Sequence, residues 1–401
     1  MLGLGAPLGF DTAGDGTRPA RALAPGSGPR TREPPPPADG ARENVPAVPN
    51  LVVLAEQLLA PVPGGTGRYT RELTAALAAT APPGWTVTTA VSRHPDPSAA
   101  AVPGVGAPRV LPIPRRALIA AWERGVPYWP GGDAVHAPTP LAPPRGRVVV
   151  TVHDTVPWTH PETLTPRGAA WHRRVIARAA ARPTPLVVPT QAVADDLKTR
   201  VPCTAPPIAI PHGVTPLGES SPLPDLPDRY VLAIGTIEPR KGLETLVAAT
   251  AQLDVPLLVV GQRGWGEVDL TAPHVRLLGK LPDPQLAHVL RNATALAVPS
   301  LAEGFGLPLV EAMSEGVPVV HSDAPALLEV AGGAGLVAER GDPRSLEAAL
   351  RSLLTDHPLA ARLAAAGRRR AEDFTWERAA RAVWELHLAQ AATASAERGA
   401  R

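Results

Sequence analysis

From Asn50 onward, short continuous apolar runs alternate with amphipathic stretches, and this alternation limits the chain to very few folds. Leu51–Leu54, Val148–Val152, Leu186–Val188 and Ile208–Ile210 read as buried strands. Tyr69–Thr80, Gly168–Arg182 and Gln191–Arg200 read as the helices between them. Strands that are apolar along their whole length, separated by helices of about 10–15 residues, imply parallel βαβ units. A stretch rich in Pro, Ser and Gly follows (Pro216, Gly218, Ser220, Ser221, Pro222, Pro224, Pro227) and reads as a linker. The pattern then restarts, with strands at Tyr230–Ile234, Pro256–Val260, Val275–Leu278, Ala295–Val298 and Pro318–His321. Helices are expected at Leu243–Ala251, Asp283–Asn292 and Leu307–Glu315. Three more close the chain: Asp342–Thr355, Pro358–Glu372 and one from Trp376 to about Ala391. The expected architecture is therefore α/β, with two Rossmann-like doubly wound domains facing a central cleft. Ligands of such sheets bind beyond the carboxyl ends of the strands.

The expected boundaries are an N-terminal domain over 49–215, a linker over 216–228 and a C-terminal domain over 229–374. The last helix, about 375–392, carries Trp376, Ala380, Val383, Trp384 and His387 on one face and is expected to dock on a large surface. Residues 1–48, with four consecutive prolines at 34–37, hold too little periodic apolar content to fold. They read as a disordered tail or as a start assigned too far upstream.

Composition excludes several classes. With 39 Lys+Arg against 37 Asp+Glu, no basic excess marks a general nucleic-acid binder. Only Lys198, Lys241 and Lys280 are lysines, so arginine clusters carry less information here than in an average chain. A single cysteine, Cys203, excludes a disulfide framework and a Cys-based zinc site. No apolar run is long enough for a membrane span, and no secretory leader pattern is present, so a cytoplasmic location is expected. Two Arg-bearing amphipathic stretches stay open to two readings. One is Pro114–Trp122; the other holds Trp171, Arg173, Arg174, Val175, Ile176 and Arg178. Each fits a core-facing helix with a solvated face, or peripheral contact with the inner face of an anionic membrane.

The most informative string is Pro299-Ser300-Leu301-Ala302-Glu303-Gly304-Phe305-Gly306-Leu307-Pro308-Leu309-Val310-Glu311. It follows a strand and opens a helix, with Pro308 suited to the first helical turn. Backbone N–H groups of Gly304, Phe305, Gly306 and Leu307 crowd at a helix N-terminus, which favours an anion. Glu303 and Glu311 flank that position and can accept hydrogen bonds from hydroxyls. A phosphate beside hydroxyl acceptors suits a nucleotide sugar.

This segment resembles the E-x7-E signature of the retaining glycosyltransferases of family four, which have the GT-B fold. Gly235-Thr236-Ile237-Glu238-Pro239-Arg240-Lys241-Gly242 is similar to that family's phosphate-binding turn. Gly64-Gly65-Thr66-Gly67-Arg68-Tyr69, His153-Asp154, Ile210-Pro211-His212-Gly213-Val214 and Gly316-Val317-Pro318-Val319-Val320 extend the resemblance over most of the chain from Asn50. The resemblance implies that Lys241 contacts the donor diphosphate, with Arg240 as a second donor. It implies that Glu303 faces the transferred sugar, that Glu311 binds the ribose hydroxyls, and that His153 lies near the sugar. Gly65, in the loop between the first strand and its helix, would approach the phosphate from the opposite lobe. Family members often carry Arg after the first glycine of the turn, where this chain has Thr236. Catalysis is thus expected from Glu303, His153 and Lys241. Donor binding is expected from Gly65, Arg240, Lys241, Gly304, Phe305, Gly306, Leu307 and Glu311. No metal or other cofactor is expected, and the final helix is expected to cross back onto the N-terminal lobe. The implied activity is retaining transfer of a sugar, mannose from GDP-mannose being preferred, to a glycan or lipid-linked acceptor. A GT-B-shaped nucleotide-sugar epimerase and a non-catalytic sugar-nucleotide-binding protein are the alternatives.

Overall fold

The computed structural model describes residues 48–399; the segment read as a tail lies outside them but for its last residue. In the N-terminal lobe the elements run β1 (Asn50–Leu54), α1 (Gly64–Ala79), β2 (Thr86–Arg93), β3 (Arg109–Pro114), α2 (Arg115–Glu123), β4 (Ala134–Ala137), β5 (Val148–Thr151), α3 (Val156–Thr159), α4 (Pro166–Ala180), β6 (Leu186–Val188), α5 (Gln191–Arg200) and β7 (Ile208–Ala209). The strands form one parallel sheet in the order β3-β2-β1-β4-β5-β6-β7. Residues 210–230 carry no regular element.

In the C-terminal lobe the elements run β8 (Val231–Ile234), α6 (Leu243–Thr250), β9 (Leu257–Val260), β10 (Val275–Gly279), α7 (Asp283–Arg291), β11 (Ala295–Val298), α8 (Leu307–Glu315), β12 (Val319–Ser322), α9 (Pro325–Ala331), β13 (Leu336–Ala338), α10 (Pro343–Thr355), α11 (His357–Ala371) and α12 (Trp376–Gly399). The second sheet is also parallel, in the order β10-β9-β8-β11-β12-β13. Both sheets reverse their winding beside their first strand, between β1 and β4 and between β8 and β11. Strand order changes direction there, so the loops after those strands splay apart and leave a crevice.

The central strands β4, β5, β9 and β11 are buried at every position, as fits sheets covered by helices on both faces. Helix α12 leaves the C-terminal lobe and lies on the N-terminal one. Trp376, Ala380, Val383 and Trp384 pack with Leu51, Val53, Tyr69, Leu73 and Leu77. Trp384 Nε1 donates to the Leu77 carbonyl at 3.0 Å. Burying each large apolar side chain contributes roughly 1.5–3 kcal/mol, which explains why this helix crosses back.

Two sequence expectations are corrected. The glycines at 64–67 are the first turn of α1, not a loop before it; Gly67 N–H already donates to Pro63 O at 2.9 Å. Strands β2, β3 and β4 have no counterpart among the expected elements, whereas α2 falls on the Arg-bearing stretch at 114–122 that reads as an amphipathic helix. The two Arg-bearing stretches each bury part of an apolar face. Trp122 is buried and donates from Nε1 to Tyr128 O, while half-buried Trp171 packs on the core. Leu118, Val175 and Ile176 are buried as well. These apolar side chains form the core-facing side of both stretches. No helix among the described residues is long and apolar enough to cross a membrane.

Candidate functional site

A cavity of about 570 Å³ opens between the lobes, within the range of small-molecule sites. Its floor is built where the loops after β8 and β11 meet. Pro239–Lys241 form a single 3-10 turn, and Gly242 then takes a left-handed conformation with φ 63°. A side chain at Gly242 would sit 2.3 Å from Pro299 O, so glycine lets the two loops touch. Leu301 N–H donates to Arg240 O at 2.8 Å and fastens them together.

That contact brings Lys241 to Glu303 although 62 residues separate them. Lys241 Nζ lies 2.5 Å from Glu303 Oε1, Arg240 Nη1 lies 3.1 Å from Oε2, and the Ser300 hydroxyl donates to Oε1 at 2.8 Å. Burial by itself would raise the Glu303 carboxyl, but Lys241 and Arg240 overcome it and hold the group at about 2. Arg240 also pairs with Glu238 at 2.6 Å and donates to Ala302 O. Burial disfavours its charge, and Glu303 and Glu238 outweigh that, so the guanidinium stays protonated. Thr236 lines the cavity nearby, so the cations of this floor are Arg240 and Lys241.

On the N-terminal side, Gly64, Gly65 and Thr66 open α1 toward the cavity, and Gly65 faces Leu307 Cδ1 across it. Leu307 opens α8 behind left-handed Gly306. Two helix N-termini and a lysine thus converge on one space, an arrangement that suits a diphosphate. Phe305 is buried and packs its ring on His212 and Phe374. Its contribution to the cavity is therefore mainly structural. Gly304 is also placed by protein contact: a side chain there would meet His153 O at 1.7 Å. The glycine is what allows the β11 loop to reach the other lobe.

His153 follows β5 and reaches the cavity edge. Its Nε2 bonds Pro138 O at 2.8 Å, and Asp154 instead caps Val156 N–H, so the carbonyl orients the ring and the neighbouring carboxylate does not. Burial lowers the imidazole from its ordinary value, which keeps it neutral and leaves Nδ1 as an acceptor. Tyr69 and His212 both sit edge-on to it.

Glu311 lies inside α8, 3% exposed at its side chain, and is paired with Arg68 of α1. Burial pushes the Glu311 carboxyl up and Arg68 opposes this. Sequence reading quoted Arg68, Glu238 and His212 within motifs but assigned them no part in the site. A charge match between α1 and α8 was the available signal, yet the partners are 243 residues apart. Three further ties close the lobes. Thr190 Oγ1 donates to Gly304 O, Glu329 accepts from the N–H groups of Gln191 and Ala192, and Trp265 Nε1 bonds Thr163 O. Among the described residues no three His, Cys, Asp or Glu side chains are grouped to hold a metal ion.

Two parallel α/β lobes closing over one cleft, with the last helix returned to the first lobe, define the GT-B class of protein. Residues 63–216 match the family model Glycosyltransferase Family 4, and residues 220–370 match Glycosyl transferases group 1, so each lobe is similar to a glycosyltransferase family. It is 29% identical to the phosphatidyl-myo-inositol mannosyltransferase of Mycobacterium leprae over 329 residues, 73% of this chain and 85% of that protein. It is 39% identical to the O-antigen chain mannosyltransferase B of Escherichia coli over 162 residues, 37% of this chain and 42% of that protein's length. Among solved structures, sucrose-phosphate synthase from Thermosynechococcus elongatus aligns with TM-score 0.67 and 23% identity over 86% of this chain and all of that one. Anabaena HepE in complex with UDP-glucose aligns with TM-score 0.62 and 18% identity over 87% of this chain and all of that one. These structural likenesses carry the fold.

Proposed function

We propose that the chain is a retaining glycosyltransferase that takes a sugar from a nucleotide donor, mannose from GDP-mannose being the preferred choice. The observation that carries this reading is the convergence of Lys241, two helix N-termini and Glu311 on one cavity between GT-B lobes. The diphosphate sits against Lys241 and the α1 and α8 N-termini, and Glu311 takes the ribose hydroxyls. The likeness to two mannosyltransferases supports the sugar. The acceptor is a glycan or a lipid-linked saccharide, received by the N-terminal lobe.

Retention follows from same-face transfer in this reading. The bond between the anomeric carbon and the β-phosphate oxygen breaks, and its electron pair stays on the phosphate. The acceptor oxygen bonds the anomeric carbon from the same face, and its proton passes to the departing phosphate oxygen. Lys241 stabilises the charge that builds on that oxygen. Glu303 is no nucleophile here, because Lys241, Arg240 and Ser300 already hold both of its carboxylate oxygens, leaving one lone pair on Oε2. Its work is to hold Lys241 in place and to accept a hydrogen bond from the sugar. His153, neutral and oriented by Pro138, presents an acceptor to a sugar hydroxyl. No step calls for a metal ion.

Titration of GDP, UDP and ADP into wild-type protein and Lys241→Ala tests the reading. One nucleotide is expected to bind, with affinity reduced on the order of 10–100-fold in the variant, as for loss of a charge-assisted contact. Equal binding by both proteins would remove Lys241 from the diphosphate site.

A further inference from the structure

Arg68 crosses the cleft. It stands on α1 of one lobe, and its Nη1 meets Glu311 Oε1 on α8 of the other. The two side chains are unequally exposed, Glu311 at 3% and Arg68 at 32%. A carboxylate buried that deeply is costly unless paired. Arg68 feels Glu311 most strongly, with Asp283 and Glu72 adding to the negative field around it. One guanidinium thus answers three carboxylates at this corner of the cavity. Glu311 Oε2 has no hydrogen-bond partner among the described residues, and Glu311 lines the cavity.

We propose that Arg68 is the positioning residue for ribose recognition, and that its bridge to Glu311 couples nucleotide binding to closure of the lobes. Held at Oε1, the Glu311 carboxylate keeps its charge and its orientation. Oε2 is then free to accept from the vicinal hydroxyls of a nucleoside diphosphate. The same bond joins α1 to α8, so a nucleotide whose ribose fits Glu311 favours the closed cleft. The inference rests on the nucleotide-sugar reading above and adds to it a residue of the opposite lobe that acts through Glu311 rather than on the phosphate.

The test uses calorimetric titration with GDP, UDP and ADP, each beside its 2′,3′-dideoxy counterpart. The proteins are wild type, Arg68→Met, Arg68→Lys, Glu311→Gln and the Arg68→Met/Glu311→Gln pair. Wild type is expected to prefer the ribonucleotide by about tenfold, the scale of hydrogen bonds to a charged acceptor. Arg68→Met is expected to lose that preference while its affinity for the dideoxy nucleotide stays within about twofold, and Arg68→Lys to recover part of it. In the Glu311→Gln background, Arg68→Met is expected to change little more, because the two act as one unit. Retention of the ribose preference in Arg68→Met would overturn the proposal. So would an equal loss for both nucleotides, which would place Arg68 on the phosphate or in the fold. If wild type binds no nucleoside diphosphate, the nucleotide-sugar reading itself falls, a result distinct from either of these.

Discussion

Burial alone raises the Glu303 carboxyl, and three donors from 240, 241 and 300 more than reverse that. The string that carries Glu303 was legible in the sequence because it lies in one piece between a strand and a helix. Its partners were not, because ion pairs between residues 62 and 63 positions apart leave no local pattern. Buried pairs are expensive to break singly, since the surviving charge stays buried. Glu303→Ala is therefore expected to lower unfolding stability by about 2–3 kcal/mol. It also releases Lys241 and Arg240 to a diphosphate, so nucleoside diphosphate binding is expected to persist or tighten while sugar transfer is lost. Denaturant melts and titration with GDP, UDP and ADP check both; weakened nucleotide binding in a folded variant would contradict this account of the cluster.

Among the elements, the long apolar strands and the amphipathic helices that separate them were readable, and their continuous burial is why the sheets are parallel. The missed strands have mixed sequences. β2 (Thr86–Arg93) buries Thr89 and Ser92, and β4 (Ala134–Ala137) buries His136, so neither shows a clean apolar run. His136 faces His387 of α12 at 5.7 Å between ring centroids, and both are fully buried. Three of their four ring nitrogens lack a hydrogen-bond partner among the described residues. Burial lowers His136 to about 3, with His153 adding to this, and lowers His387 well below its ordinary value, with His136 and Arg147 adding to it. A histidine depressed in the fold stabilises fully above its unfolded value near 6.5, and that contribution is lost as pH falls below it. The docking of α12 is thus expected to weaken below about pH 6.5. Each such histidine gives up about 1 kcal/mol per pH unit. His387→Leu is expected to flatten this acid limb by about that amount. Urea unfolding at pH 7, 6 and 5 measures it, and an unchanged slope would show that His387 is hydrated or charged in the fold.

At the scale of the whole molecule, the lobes are held shut by contacts that ring the cavity. Gly304 is one of them, since a side chain there would run into the His153 carbonyl. The two-lobed plan was foreseeable from the restart of the strand pattern after the Pro-rich linker, but the degree of closure depends on pairs such as Glu329 with the α5 N-terminus, which pattern does not reveal. Gly304→Ala is expected to push the lobes apart without unfolding either. Small-angle scattering should then show a larger radius of gyration with unchanged circular dichroism, and turnover should fall on the order of 100-fold, as for a misplaced reacting geometry. An unaltered radius would mean that the closed arrangement is not set by this contact.

The central claim is that this cleft activates a nucleotide sugar. The most direct measurement is release of free nucleotide from GDP-, UDP- and ADP-sugars, with no acceptor and no added metal, by wild type beside Glu303→Ala. The account predicts slow release from one donor, GDP-mannose first among them, by wild type and none by the variant. Release at the same rate by both proteins would contradict it.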